Sequence, residues 1–146
     1  MTQLSKNFTL EELTFSDAAA RHGIDNTPNE EIIENLKRLC ALILEPVRDI
    51  VHKPVHVTSG YRSPIVNSLV GSKVTSQHTR GCAADIKVPG VAPDVLMKAI
   101  IGAGLPYEQV ILEFQNWVHV SVPNNPNTLP KRQELIIDKN GTRPFT

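Results

Sequence analysis

The chain has 146 residues, which fits one domain with a single sizeable core, and its 40% hydrophobic and 21% charged content is neither disordered nor membrane-like. Fifteen Lys and Arg balance fifteen Asp and Glu, for a formal net charge of zero. That balance argues against a general nucleic-acid binder, which needs a basic surface to neutralise phosphates, and gives no electrostatic reason to dwell on an anionic membrane. Two cysteines, Cys40 and Cys82, do not make a disulfide framework in a chain of this length. Cys40 lies in the apolar run Leu39–Leu44 and reads as a small buried hydrophobe. Met1–Lys6 has no charged start leading into an apolar stretch, so no signal peptide is expected and synthesis in the cytoplasm is. No run approaches the roughly 18 apolar residues that span a bilayer.

In chain order, the first third reads as helical. Thr9-Leu10-Glu11-Glu12 has the form of a capping box, predicting a short helix to about Leu13. A second short helix starts at Ser16-Asp17, with Gly23 as its C-cap. Asn26-Thr27-Pro28 is a turn. From about Asn29 to Val51 apolar residues recur in steps of three and four, from Ile32 and Ile33 through Leu36, Leu39 and Cys40 to Ile43, Leu44 and Val47. Those steps mark one buried face of a long helix, which Pro46 is expected to kink or split.

The remainder reads mostly as strands: Pro54–Thr58, broken at Ser59-Gly60, and Cys82–Val88. A helix follows over Pro93–Ala103. Gln109–Phe114 and Trp117–Val122 are close enough for a hairpin, and Leu135-Ile136-Ile137 in the Pro- and Asn-rich tail reads as a possible edge strand. Helices followed by strands predict an α+β fold: one domain over 1–146, with an antiparallel sheet and the N-terminal helices packed against it. The informative blocks span 55–122, and the tail is 123–146.

The segment Ser76-Gln77-His78-Thr79-Arg80-Gly81-Cys82-Ala83-Ala84-Asp85 carries chemistry. Gly81 lets the chain turn sharply. In the strand that follows, Ala84, Ile86 and Val88 share an apolar face, while Ala83 and Asp85 share the other. The parity of Cys82 with Ala84 sends it to the core. Trp117–Val122 repeats the pattern, with Val118, Val120 and Val122 inward and Trp117, His119 and Ser121 outward. If both strands belong to one sheet, His78, Asp85 and His119 can converge. Two imidazoles and a carboxylate are acceptable zinc ligands, and three of them with an open fourth position is a catalytic pattern. Taken alone, each is also an ordinary surface or hydrogen-bonded residue, the reading given to His22, His52 and His56. Neither an HExxH nor a CxxC pair is present.

Several ordered blocks together resemble the M15 metallopeptidases, which include D-alanyl-D-alanine carboxypeptidases and phage L-alanyl-D-glutamate endopeptidases. The blocks are Ser59-Gly60-Tyr61-Arg62-Ser63, Ser76-Gln77-His78, Gly81, Ala83-Ala84-Asp85 and Trp117-Val118-His119-Val120-Ser121. The helical start, Asn7–Leu13 with Asn26-Thr27-Pro28 and Leu44–Arg48, is similar to the small phage-type branch, so the resemblance runs from about Asn7 to Val122. It implies a hedgehog/DD-peptidase-like domain holding one Zn2+ on His78, Asp85 and His119. Arg62 matches an arginine that contacts substrate and steadies the oxyanion; a structural salt bridge on a turn is the alternative reading. Ser76 and Gln77 match positions that line the site, or that hold the histidine from behind.

Many members place a glutamate three residues before the last histidine ligand. That position here is Asn116, which cannot take a proton. The nearest acid, and the candidate general base, is Glu113, which interrupts an apolar strand at a cost unless the charge has a partner; a surface or edge-strand acid is the plainer alternative. A hairpin loop at 115–117 sets Glu113 opposite His119; a two-residue turn at Gln115-Asn116 sets it opposite Val118 and facing away. The resemblance therefore implies a zinc peptidase cutting a peptidoglycan stem peptide, as a phage or prophage endolysin-type enzyme. Such an enzyme is expected to be a monomer and to reach the wall after release through a holin-type pore. A D-Ala-D-Ala carboxypeptidase, or a zinc-containing virion or wall-binding module without turnover, are the rivals.

Overall fold

The computed structural model describes residues 2–145. Helix α1 (Leu10–Thr14) begins with the predicted capping box: Thr9 Oγ1 accepts from the Glu12 amide and the Glu12 carboxylate accepts from the Thr9 amide, both at 3.2 Å. Helix α2 (Asp17–His22) is capped by Ser16 and ends on Gly23 at φ +63°, the left-handed conformation in which glycine is unstrained.

The long helix is not split at Pro46. It runs as α3 (Glu30–Leu39), a π-helical turn (Cys40–Leu44) and α4 (Glu45–Val51). The turn bonds the Glu45 amide to Cys40 O, one residue further back than an α-turn would. This wide turn directly precedes the proline, where a regular helix would set the ring against a carbonyl. One face of this rod, from Leu36 to Val47, is fully buried.

Six strands form one sheet in the order β1-β2-β4-β3-β5-β6: β1 (His56–Ser59), β2 (Ala83–Lys87), β3 (Gln109–Glu113), β4 (Trp117–Ser121), β5 (Gln133–Asp138) and β6 (Gly141–Pro144). Helix α5 (Pro64–Leu69) lies between β1 and β2, and α6 (Pro93–Gly102) between β2 and β3. The sheet is mixed, which corrects the expected antiparallel one. Strand β4 ends where β3 begins, Ser121 beside Gln109. The segment 122–132 then passes around that end and sets β5 parallel to β3, Gln133 beside Gln109. Strand β5 is thus interior, and β6 takes the edge expected for it.

The two faces of the sheet differ. Ala84, Ile86, Val110, Leu112, Val118 and Val120 join Leu36–Val47 and the α6 residues Leu96, Met97 and Ile100 in one buried cluster. Asp85, Ile111, Glu113, His119 and Ser121 point to the opposite face. Both cysteines are free and buried, and burial pushes the Cys40 thiol up to about 12. No helix is long and apolar enough to cross a membrane among the described residues.

Tyr107, 2% exposed, donates its hydroxyl to Glu134 and so ties β5 to the start of β3. Burial, then this bond to a carboxylate, push its phenol up to about 12. Burial also raises Tyr61, followed by the charge of Asp25. The fold therefore favours both neutral phenols, a contribution fully present below the unfolded value near 10 and lost as pH rises through the folded value. Alkaline titration of the native chain should show tyrosinate absorbance delayed for both tyrosines, and the urea-unfolded chain should titrate near pH 10. Coincident native and unfolded curves would contradict this packing.

Candidate metal centre

Asp85 and His119 are direct cross-strand partners in the β2–β4 ladder, so both side chains leave the same face of the sheet. His78 arrives from outside the sheet, on a single 3-10 turn (Gln77–Arg80) that closes on Gly81 at φ +72°. A side chain at Gly81 would meet Ile32 at 2.8 Å; glycine thus serves both the turn and its approach to α3. Ser76 Oγ accepts from the His78 amide at 3.3 Å. Gln77 Nε2 donates to Val122 O at 2.8 Å and to Asn124 Oδ1 at 2.9 Å, fastening the turn to the end of β4.

The three groups meet tightly. His78 Nε2 lies 3.4 Å and His119 Nδ1 3.0 Å from Asp85 Oδ1, and the three ligating atoms fall within 4.8 Å of one another. Their residues are 3%, 6% and 8% exposed for His78, Asp85 and His119. A tetrahedral ion with bonds of about 2.0–2.1 Å sets its ligands about 3.3 Å apart, so this spacing and the nitrogen-nitrogen-oxygen donor set fit zinc. The His78 ring is preset: its Nδ1 is 2.7 Å from Gly60 O, which can only accept. The proton therefore sits on Nδ1, and Nε2 presents a lone pair to the centre. Burial lowers the His78 pKa, keeping the ring neutral against the opposing pull of Asp85. Burial alone would raise Asp85, but the two imidazoles packed against it, His78 and His119, hold it well below the usual carboxylate range.

Arg62 reaches the same carboxylate from the β1 side, with Nη2 3.6 Å from Asp85 Oδ2. The rest of its guanidinium is tethered: Nε donates to Ser59 Oγ at 3.1 Å and Nη1 to Asn67 Oδ1 at 3.2 Å. Its backbone is braced too. Arg62 N donates to His78 O at 3.1 Å, and Asn26 accepts from Ser63 N at 2.7 Å while donating to Tyr61 O at 3.0 Å. Asn67 was not legible as a site residue; with Ser68 it is one of two polar residues in the run Ile65–Val70, and nothing in that pattern marks it.

The β3–β4 hairpin differs from both expected registers. Its loop is Phe114-Gln115-Asn116, with Phe114 and Gln115 both at φ +55°, and it pairs Glu113 with Trp117 and Ile111 with His119. Glu113 is thus a diagonal neighbour of His119, two residues along β3 from the directly opposite Ile111 and on the same face. Its Oε2 lies 3.8 Å from His119 Nδ1. Burial raises the Glu113 pKa and the Asp85 charge adds to it, against His119, Arg62 and Trp117. The Trp117 Nε1–H is buried without a strict hydrogen-bond partner; it is close enough to Glu113 to favour the carboxylate, but outside good bonding geometry. Asn116 turns away and accepts from Lys87 Nζ at 2.7 Å. His22, His52 and His56 are exposed and outside the cluster.

A cleft of about 1000 Å³ opens over this face and brings together the three candidate ligands with Arg62, Ser76, Gln77 and Glu113. The family model for Peptidase M15 matches residues 6–121. The chain belongs to the peptidase M15 family. No curated protein matches it. The match runs from the lead into α1 to the end of β4, and it supports a peptidase whose relatives are typically zinc-dependent; β5 and β6 lie beyond it.

Asn67, 2% exposed, joins the Arg62 guanidinium to Lys73 O, to which its amide donates at 2.8 Å. Asn67→Ala removes both bonds, freeing the Arg62 Nη1 and leaving the Lys73 carbonyl to the Ser76 amide alone. We expect a loss of about 1–3 kcal/mol in denaturant unfolding, and a stability within error of the parent would assign Asn67 no bracing role.

Proposed function

We propose that this M15 peptidase hydrolyses a peptide bond in bacterial peptidoglycan, with one zinc ion held by His78 Nε2, the Asp85 carboxylate and His119 Nδ1. The observation that carries the reading is the buried three-ligand cluster with an acid and an arginine beside it in one cleft, in a chain of this family. When bound, zinc supplies a Lewis acid that lowers the pKa of water and polarises a carbonyl.

The protein residues supply the remaining steps. Glu113 stands on the β3 side of the cluster and accepts a proton from the attacking water, then returns it to the leaving amine. Its raised pKa comes from burial and the Asp85 charge, which makes it a stronger proton acceptor than a solvated glutamate. Arg62 stands on the β1 side, tethered by Ser59 and Asn67, and steadies negative charge growing on the carbonyl oxygen. Ser76 and Gln77 hold the turn that delivers His78. Asn116 takes no part, since its amide is engaged with Lys87.

The stem peptide is the substrate class of this reading, and the phage-type sequence pattern supports a phage or prophage lytic enzyme, monomeric, made in the cytoplasm and acting on the wall after release. Zymography on purified walls, followed by mass spectrometry of the digest, tests it. Wall degradation that requires zinc supports the proposal; a zinc-loaded protein that leaves walls intact refutes it and favours a binding module.

His78→Ala, Asp85→Ala and His119→Ala should each lose zinc, measured as metal per chain after desalting, because three ligands leave none to spare. His56→Ala should retain it. Full occupancy in any of the first three would mean that the ligand set is wrong.

Glu113→Gln keeps shape but cannot take a proton. It should fold, hold zinc and lose wall hydrolysis by roughly 100- to 10,000-fold. Near-parental turnover at full zinc content would remove Glu113 from the chemistry.

A further inference from the structure

The cleft does not end at the candidate catalytic residues. Ladder pairing extends one face of the sheet in rows: His119 beside Ile111 and Leu135, and Trp117 beside Glu113, Ile137 and Thr142. Ile111, Leu135 and Ile137 all line the cleft, and none of them belongs to the hydrophobic core cluster or packs against it, whereas their neighbour Ile136 does. Leu135 and Ile137 are half-buried and Ile111 is 5% exposed, so the two β5 side chains, with the edge of Ile111 beside them, form an aliphatic floor to the cleft. At one side of that floor Gln109 Nε2 donates to Gln133 Oε1 at 2.8 Å, which leaves one amide oxygen and one NH2 of the pair to meet a peptide backbone.

The geometry points to β5 and β6 as a substrate-binding wall for the amine-side half of the cleaved peptide, an extended segment of about three residues with small or aliphatic side chains. This inference rests on the proposed function. Arg62 approaches the cluster from the β1 side and Glu113 from the β3 side. A scissile amide whose oxygen faces Arg62 and whose nitrogen faces Glu113 sends its leaving half over β3, β5 and β6. Strands lie about 4.8 Å apart, so the floor from β3 to β6 spans about 10 Å. An extended chain covers about 3.3–3.6 Å per residue, which gives room for about three residues. A single terminal residue would leave most of that floor bare. The wall therefore favours cleavage within a peptide over removal of its last residue. It also lies beyond the residues matched to the family, so the specificity it confers is carried by the tail of this chain.

The test uses the zinc-loaded full chain and soluble muropeptides from walls whose glycan has been digested. Mass spectrometry should find amine-side fragments of two or more residues. Leu135→Asn with Ile137→Asn, and separately Gln133→Ala, should raise KM about tenfold, with the effect on KM rather than kcat and with zinc content unchanged; Lys139→Ala, at the β5–β6 turn, is the control. Release of single terminal residues alone, or an unchanged KM in both variants, would overturn the inference while leaving the peptidase reading intact. If the parent protein cleaves no muropeptide, the peptidase reading on this substrate fails, and titration with tri-alanine decides the wall by itself. Amide shifts over residues 133–137 that vanish in the Leu135/Ile137 variant support it, and no shifts in the parent overturn it.

Discussion

A nearly buried carboxylate is the constraint around which the molecule is arranged. Asp85 is 6% exposed, and an ionised acid at that depth is stable only with compensating partners. It has two imidazoles and a guanidinium around it, delivered by separate stretches of chain. Each delivery explains a local feature. The β2–β4 register sets His119 opposite; the 3-10 turn closing on Gly81 swings His78 in; the loop braced by Asn26 aims Arg62. Gly60 lies where that loop passes α1, where an added Cβ would strike Leu13 O, and its own carbonyl orients His78. Fold and site are therefore one set of contacts, and a substitution such as Gly60→Ala disturbs both.

The sheet separates two tasks by strand parity. Valines and isoleucines on one face bury against α3, α4 and α6 and provide the apolar burial that offsets chain entropy. The alternate residues on the same strands are free to be acids, histidines and amides. Hairpin geometry protects this division. Adding or deleting one residue in Phe114-Gln115-Asn116 with the β4 register kept would send Glu113 to the core face, where no partner for its charge exists among the described residues.

What was legible in the sequence is what depends on neighbours along the chain. The capping box at Thr9, the Gly23 cap, the buried stripe from Leu36 to Val47 and the inward and outward alternation around Asp85 and His119 all follow from local chemistry, and the structure has each of them. Parity placed Asp85 and His119 on one face once both strands belonged to one sheet, and allowed His78 to join them; that the three form a ligand set was implied by the family resemblance. What depended on distant contacts was not legible. The direction of β5 is set by where β4 ends and by Tyr107 gripping Glu134. Pro46 is absorbed by a widened turn whose carbonyls no pattern of residue types announces. Loop length at 114–116 hangs on two residues tolerating positive φ, and neither Phe nor Gln signals that. Asn67 acts through a side chain of Arg62 and a carbonyl of Lys73, relations that no spacing rule records.

The parallel pairing of β5 with β3 also separates two boundaries that are easily taken as one. The family match stops at Ser121, yet β3, an apolar strand at the heart of the sheet, is sealed on its far side only by residues 133–137. A chain cut at the family boundary would keep every candidate zinc ligand and still bare a row of unpaired amides and carbonyls along Gln109–Glu113. Such a naked, hydrophobic edge recruits strands from other molecules. The unit that recurs in sequence is thus smaller than the unit that can stay dispersed in water.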